Sequence, residues 1–191
     1  MDINIKDALI IVDVQNDFCP SGSLAVPEGD KIVPILNKYI IKFSERKASI
    51  IVTRDWHPKN HMSFKEYGGI WPPHCIQNTW GAQFHPKLIL PKDIIIISKA
   101  DKPDFEAYSG FQGTRLNKIL KELKVKRIFV GGLATDYCVK NTVLDGLKEG
   151  YDVYLLMDSI KGVDVNPGDS EKAIKEMEAK GAIKVWLKDI E

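Results

Sequence analysis

The chain has 191 residues, of which 44% are hydrophobic and 28% are charged. This composition excludes a disordered or fibrous protein and, at about 100–200 residues per domain, predicts one domain over residues 1–191. Lysine and arginine total 27 against 26 acidic residues, with no long run of like charge, so nucleic acid is not an expected partner. Three cysteines without CxxC spacing fit neither a disulfide framework nor a thiolate zinc cluster. If one of these cysteines has a special function, we expect it to be a nucleophile.

The apolar runs of the chain are no longer than strands, and the first six residues lack the basic and apolar regions of a signal peptide. We therefore expect a soluble, cytoplasmic protein without a membrane partner. The sequence does not decide the oligomeric state and leaves a homo-oligomer open.

Runs rich in Ile and Val alternate along the chain with segments of helical periodicity. Most of these runs lack polar alternation, which predicts strands buried on both faces of a parallel sheet. The six predicted strands are Ala8–Val12, Ser49–Thr53, Ile94–Ser98, Arg127–Val130, Asp152–Met157 and Ile183–Leu187. The four helical patterns are Ile32–Phe43, Leu116–Leu123, Val139–Leu147 and Ala173–Met177, with Asp169 or Ser170 placed to cap the last. The fold class is therefore α/β, a three-layer α/β/α sandwich around a mostly parallel six-stranded sheet.

Polar residues follow the predicted strands at the edge where an open parallel sheet binds its ligands. Asp13, Asp55 and Lys99 come at the ends of the first three strands, and Cys138 comes shortly after the fourth. The segment from Asp55 to Pro91 is predicted to be mainly loop, and a loop of that length in a small domain is usually functional.

Cys138 is expected to open a helix, where the backbone potential lowers the pKa of a thiol and supplies amide donors for an oxyanion. Asp13 could accept the thiol proton, and Lys99 would keep Asp13 ionised. Each residue also has a structural interpretation: a small buried cysteine, a carboxylate that caps a strand end, or a lysine at the rim of the sheet. Together they form a set that can transfer acyl groups without histidine.

A second cluster of polar residues lies in the long loop. Asp55 and His57 point to the same side of an extended chain, so they can bind one metal, with His74 arriving from further along. Zn²⁺ suits these ligands best, and Fe²⁺ or Mn²⁺ accepts the same set. His61 lies nearby, whereas His85 is interpreted as structural. Loop histidines are often only surface residues, but three of the four histidines lie within reach of Asp55.

Aromatic residues recur beside both clusters and could form the walls of a pocket for a flat ring. They are Phe18, Trp71, Tyr108 and Tyr137. Taken singly, each fits ordinary core packing as well.

The order of these motifs resembles the nicotinamidase and pyrazinamidase branch of the isochorismatase-like cysteine hydrolases over essentially the whole chain. The motifs that carry the resemblance are Asp13-Val14-Gln15-Asn16-Asp17-Phe18, Asp55-Trp56-His57-Pro58, Trp71-Pro72-Pro73-His74-Cys75, Lys99, Tyr108-Ser109-Gly110-Phe111 and Gly132-Leu133-Ala134-Thr135-Asp136-Tyr137-Cys138. Several independent matches in the same order make the resemblance specific.

The resemblance implies roles for individual residues. The implied catalytic triad is Asp13, Lys99 and Cys138. The implied metal ligands are Asp55, His57 and His74, with His61 a ligand in some members only. Leu133-Ala134 matches a cis peptide of the family, next to oxyanion-binding amides of Ala134 and Cys138. The implied substrate-binding residues are Phe18, Trp71, Tyr108, Ala134 and Tyr137.

The activity implied by the resemblance is hydrolysis of nicotinamide, and of pyrazinamide, to the acid and ammonia through a cysteine thioester, in NAD salvage. Hydrolysis of N-carbamoyl amides is the nearest alternative because it can use the same Asp, Lys and Cys. An isochorismatase ordinarily lacks the two metal motifs, and a non-catalytic binding module would not be expected to keep the whole triad. A flavodoxin-like nucleotide binder would need a glycine-rich loop after the first strand, which is absent.

Overall fold

Six strands form the centre of the molecule in the computed structural model, which describes residues 1–191. The strands are β1 (Asp7–Val12), β2 (Ser49–Asp55), β3 (Ile95–Lys99), β4 (Arg127–Leu133), β5 (Asp152–Lys161) and β6 (Ile183–Val185). They form one sheet in the spatial order β3-β2-β1-β4-β5-β6. Every neighbouring pair is parallel, so the sheet is wholly parallel where the sequence predicted a mostly parallel one.

The central strand β1 shows why the predicted strands lack polar alternation. Leu9 and Ile11 pack into the apolar cluster on one face of the sheet, while Ala8, Ile10 and Val12 pack into the cluster on the other face. All of these side chains are at most 1% exposed. A strand that is covered on both faces can be apolar at every position.

Four helices cover the two faces of the sheet: α1 (Val33–Glu45), α2 (Leu116–Glu122), α3 (Lys140–Lys148) and α4 (Asp169–Ala179). α1 lies on one face, where it buries Leu36, Tyr39 and Phe43. The other three helices bury apolar residues such as Leu120, Val143 and Met177 in the cluster on the opposite face. The predicted α/β/α sandwich is confirmed.

The start of α4 differs from the sequence prediction. Asp169 is the first residue of the helix and not its N-cap. The N-cap is Gly168, which has no side chain that could form a capping hydrogen bond. The amide of Ser170 instead donates to Asp164 Oδ1 at 2.7 Å. The capping carboxylate therefore comes from a residue further upstream than the sequence pattern indicated.

The order of the strands reverses beside β1, because the chain leaves β3 and crosses to β4 on the other side of β1. Such a reversal opens a crevice at the carboxyl ends of the strands. Gly132 in β4 has a φ of +127°, and a Cβ there would lie 2.1 Å from the carbonyl oxygen of Val12. Only glycine allows β4 to pass so close to the end of β1.

The long segment after β2 is mainly loop, as predicted, with one short 3₁₀ turn at Lys65–Tyr67. No helix of the structure combines the length and the apolarity needed to cross a membrane.

Candidate active site

Lys99, the last residue of β3, lies at the centre of a buried charge cluster. Its Nζ is 2.9 Å from Asp13 Oδ2 and 3.5 Å from Cys138 Sγ, and it also contacts Asp55 Oδ1. Burial alone would lower the pKa of Lys99, but the carboxylates of Asp13 and Asp55 outweigh it and hold this pKa well above its usual value. The cluster therefore contains a permanent ammonium ion.

Asp13 lies directly after β1 and is fully buried, with a left-handed backbone φ of 49°. Its Oδ1 accepts a hydrogen bond of 2.6 Å from Thr53 Oγ1, whereas Oδ2 has no directed hydrogen bond besides its ion pair with Lys99. Burial raises the pKa of Asp13, and the charge of Lys99 opposes that rise only in part. A carboxylate with a free lone pair and a raised pKa suits proton transfer.

Cys138 lies in a π-helical turn, Thr135–Val139, that precedes α3. Burial raises the pKa of its thiol well above the usual value, and the nearby Asp13 and Asp55 add to the rise while Lys99 opposes it. The sequence-based expectation of a lowered pKa is therefore wrong for the free protein. Complete burial disfavours the charged thiolate, and it is the largest of the causes that shift the pKa of this thiol. The resting group is a thiol.

Asp55, His57 and His74 form a second buried cluster, whose ligand atoms all lie within 4.8 Å of one another. Asp55 Oδ2 is 3.6 Å from His57 Nε2. His57 Nδ1 bonds the carbonyl oxygen of Ala100 and His74 Nδ1 bonds that of Pro72, at 3.1 and 2.8 Å. Each ring therefore directs its Nε2 lone pair toward the cluster.

The protonation states of His74 and Asp55 also fit a metal ion. Burial lowers the pKa of His74 to about 4, although the nearby Asp55 opposes the shift, so its ring is neutral at pH 7. Burial would raise the pKa of Asp55, but Lys99 and His57 outweigh it and hold this carboxylate ionised. Neutral imidazoles with a carboxylate are the donors that Zn²⁺ and related divalent ions bind, and backbone oxygens on the far ring nitrogens orient them.

The ring of His61 packs against that of His57, with 4.2 Å between the centroids and the planes tilted by 32°. Its Nδ1 lies 2.7 Å from Ser63 Oγ and its Nε2 lies 3.0 Å from the carbonyl oxygen of Phe105. Both nitrogens are therefore engaged, and in this arrangement His61 offers no lone pair to the cluster. His85 lies apart from the site and accepts a hydrogen bond from the amide of Lys87.

A narrow cleft, with a cavity volume of about 30 Å³, reaches both clusters. Cys138, Asp55 and His74 line this cleft. So do all five predicted substrate-binding residues, which are Phe18, Trp71, Tyr108, Ala134 and Tyr137. Trp71 Nε1 donates to the hydroxyl of Tyr108 at 3.0 Å, which fixes one wall. The peptide bond Leu133-Ala134 is cis, as the family resemblance implied. The cleft is thus mostly apolar, with aromatic walls and with Cys138, Asp55 and His74 among its lining residues.

Several residues of the site were missing from the sequence prediction. Leu24 and Val163 also line the cleft, but they lie in loops without a periodic pattern that could have identified them. Gln15 bonds both the amide and the carbonyl of Asp55, each at 2.8 Å, and thereby holds the end of β2. Thr53 lies two residues before Asp55 on the same side of β2, so the period of the strand could have identified it.

Comparison with known proteins identifies the family. The model of the isochorismatase domain matches residues 7–186. The chain belongs to the isochorismatase family. Within this family it is similar to the nicotinamidase of Escherichia coli (strain K12), with 42% identity over an alignment of 205 residues that covers 96% of each chain.

Solved structures of the isochorismatase family show the same fold. The pyrazinamidase of Pyrococcus horikoshii in complex with zinc has a TM-score of 0.92 and 56% identity, covering 95% of this chain and 99% of that one. PnC1 from L. infantum in complex with nicotinate has a TM-score of 0.93 and 32% identity, covering 100% and 98%.

Proposed function

We propose that this protein is a nicotinamidase, which hydrolyses nicotinamide to nicotinate and ammonia and also accepts pyrazinamide. The observation that carries the proposal is the cleft itself, because Cys138, Asp55 and His74 all line it, and the Cys138 sulfur lies within 4.8 Å of a carboxylate oxygen of Asp55. The relatives named nicotinamidase and pyrazinamidase, which match over nearly the whole chain, support the same substrate class.

The proposed reaction begins with proton transfer from Cys138 to Asp13. Because the resting thiol has a raised pKa, its sulfur becomes a thiolate only as the proton moves to Asp13 Oδ2 and the ammonium of Lys99, 3.5 Å away, stabilises the negative charge. The sulfur attacks the carboxamide carbon, and the backbone amides of Ala134 and Cys138 bind the oxyanion. Asp13 then returns the proton to the departing ammonia. Water, activated by the same carboxylate, hydrolyses the thioester and releases the acid.

The aromatic walls position the pyridine ring so that its carboxamide lies at Cys138. Phe18, Trp71 and Tyr137 enclose the flat ring, while Tyr108 supports Trp71 through its hydroxyl. Holding the amide carbon against the sulfur in this way replaces a bimolecular encounter with an oriented attack.

Asp55, His57 and His74 would hold one divalent metal ion, and we propose Zn²⁺. A bound metal supplies a Lewis acid beside the cleft that can receive the pyridine nitrogen. Lys99 contributes to this site as well, because it holds Asp55 Oδ1 and leaves Oδ2 directed toward the histidines.

We also propose that the protein acts in NAD salvage in the cytoplasm. All three cysteines are free, and the reaction requires Cys138 as a thiol. The cytosol keeps thiols reduced, which suits an enzyme of this kind.

The test is ammonia release by purified, Zn²⁺-loaded protein from nicotinamide, pyrazinamide, benzamide and an N-carbamoyl amino acid. We expect nicotinamide and pyrazinamide to be the best substrates, with benzamide slower because it lacks the ring nitrogen. Faster turnover of the N-carbamoyl compound would replace the proposal with the alternative hydrolase activity. No ammonia from any of the four would refute an amidase function.

A further inference from the structure

Asp17 connects two loops that meet at the cleft. Its Oδ2 accepts a hydrogen bond of 2.7 Å from the amide of Cys75, the residue after His74. Its Oδ1 accepts one of 3.1 Å from the amide of Ser23, the residue before Leu24. One buried carboxylate thus holds the segment that carries a proposed metal ligand and the segment that carries one wall of the cleft.

The backbone of Asp17 reinforces these connections. Its amide donates to the carbonyl of Gly81 at 3.0 Å, and its carbonyl accepts the amide of Leu24 at 3.0 Å. The side chain has no lysine or arginine within ion-pair distance, so backbone amides are its hydrogen-bond partners. Cys75 has a left-handed φ of 46°, and a conformation that most residues avoid needs fixed neighbours to persist.

Gly81 shows how closely this carboxylate is packed. A Cβ at Gly81 would lie 2.0 Å from Asp17 Oδ2, a distance that no packing arrangement tolerates. The carboxylate is therefore confined between the backbone of Gly81 and the amide of Cys75. A substitution at Gly81 that shifts the carboxylate must therefore also disturb its hydrogen bond with the amide of Cys75.

We propose that Asp17 is a positioning residue that fixes His74 for metal binding and fixes Leu24 against the cleft. This inference rests on the metal site of the proposed function. Asp17 neither lines the cleft nor belongs to the ligand cluster, and it acts through the hydrogen bonds that its carboxylate accepts from two backbone amides. Its negative charge lies near His74 and adds to the attraction of the site for a cation.

The substitution Asp17→Asn tests the positioning role of the carboxylate with almost no change in the size of the side chain. Asparagine has nearly the same shape, but one of its terminal atoms is a donor that would face a backbone amide. One of the two connections must then break, and the charge beside His74 is lost. Gly81→Ala perturbs the same carboxylate without changing its charge.

Asp136 provides a matched control. Its buried carboxylate accepts the amides of Val163 and Asp164, at 3.0 and 2.8 Å, and Val163 lines the cleft as Leu24 does. Its hydrogen bonds do not reach the segment that carries His74. Asp136→Asn therefore causes the same chemical loss at a carboxylate of the same kind, away from the proposed metal ligands.

The experiment measures the dissociation constant for Zn²⁺ by competition with a chromophoric chelator, and the melting temperature of the metal-free proteins. We expect Asp17→Asn and Gly81→Ala to weaken Zn²⁺ binding about 10- to 100-fold, the usual effect of losing a group that orients a ligand. Asp136→Asn should lower the melting temperature by a similar amount and leave the dissociation constant near the wild-type value.

Equal effects of Asp17→Asn and Asp136→Asn on Zn²⁺ affinity would overturn the inference, because both residues would then act through general stability. Wild-type affinity in Asp17→Asn would overturn it as well and leave the proposed metal site standing. If the wild-type protein itself binds no Zn²⁺, the metal site fails and the inference fails with it.

Discussion

Lys99→Met removes the only cation between Asp13 and Asp55 and replaces it with an apolar chain of similar length. The two carboxylates offer oxygens within 4.8 Å of each other. Two unit charges at that distance repel by about 3.5 kcal/mol at the effective dielectric constant of about 20 that describes protein interiors. Breaking a buried ion pair by removing one partner costs about 3–5 kcal/mol. We therefore expect the free energy of unfolding at pH 8 to fall by about 3–5 kcal/mol.

The pH dependence of this loss identifies its cause. Burial raises the pKa of Asp13, and in the variant Lys99 no longer opposes that rise. A carboxyl whose folded pKa is raised destabilises the folded state as pH increases, because the unfolded chain releases its proton first. The loss should therefore be largest at pH 8 and shrink toward pH 5, where Asp13 takes up a proton and the repulsion disappears.

The assay is urea unfolding of metal-free wild-type and variant proteins at both pH values. Lys121→Met is the control, since Lys121 forms a pair with Glu149 while 64% of its side chain is exposed. A surface pair of this kind contributes about 0–1 kcal/mol. If Lys99→Met costs no more than Lys121→Met, or costs the same at pH 5 and pH 8, the reasoning about buried charge is refuted.

Two further predictions concern the neighbours of the charged groups. His57→Ala should lose its metal at a chelator concentration where the wild type keeps one ion per chain. His61→Ala should keep its metal, because both ring nitrogens of His61 form hydrogen bonds elsewhere. Equal loss of metal in both variants would make His61 a ligand. Thr53→Val removes the hydrogen bond to Asp13 Oδ1 and should lower the free energy of unfolding by about 1–3 kcal/mol. Because that bond lowers the pKa of Asp13, the acidic limb of the pH–rate profile should move to higher pH, and an unshifted limb would argue against Asp13 as the base.

The sheet was predictable because its strands are buried on both faces. The apolar runs placed all six strands, and the polar residues after them marked the edge that carries the site. The predicted strand ends were less accurate: β4 continues to Leu133 through two glycines, and β5 continues to Lys161 through polar residues. Main-chain pairing with a neighbour extends a strand beyond its apolar run, and periodicity cannot show this.

The parts of the site that the sequence missed depend on loop geometry. Leu24 and Val163 line the cleft from positions that long-range contacts define, and no local pattern marks them. Asp17 belongs to a motif of the family resemblance, but its hydrogen bond to the amide of Cys75 could not be read from that motif. The prediction of a lowered pKa for Cys138 failed for a related reason. A position before a helix is visible in the sequence, but the complete burial that raises this pKa is not. The grouping of Asp13, Lys99 and Cys138 was predictable because parallel strands bring their carboxyl ends to one edge.

The proposed hydrolysis of nicotinamide depends on the sulfur of Cys138 in this cleft. The most direct measurement is ammonia release from nicotinamide by Zn²⁺-loaded wild-type protein, Cys138→Ala and Cys19→Ala, with circular dichroism to show that each is folded. Cys19 is buried in the core cluster on the opposite face of the sheet from Cys138, so its variant controls for the loss of a buried thiol. We predict ammonia release by the wild type and Cys19→Ala and none above background by Cys138→Ala. Ammonia release by folded Cys138→Ala at the wild-type rate would contradict the account.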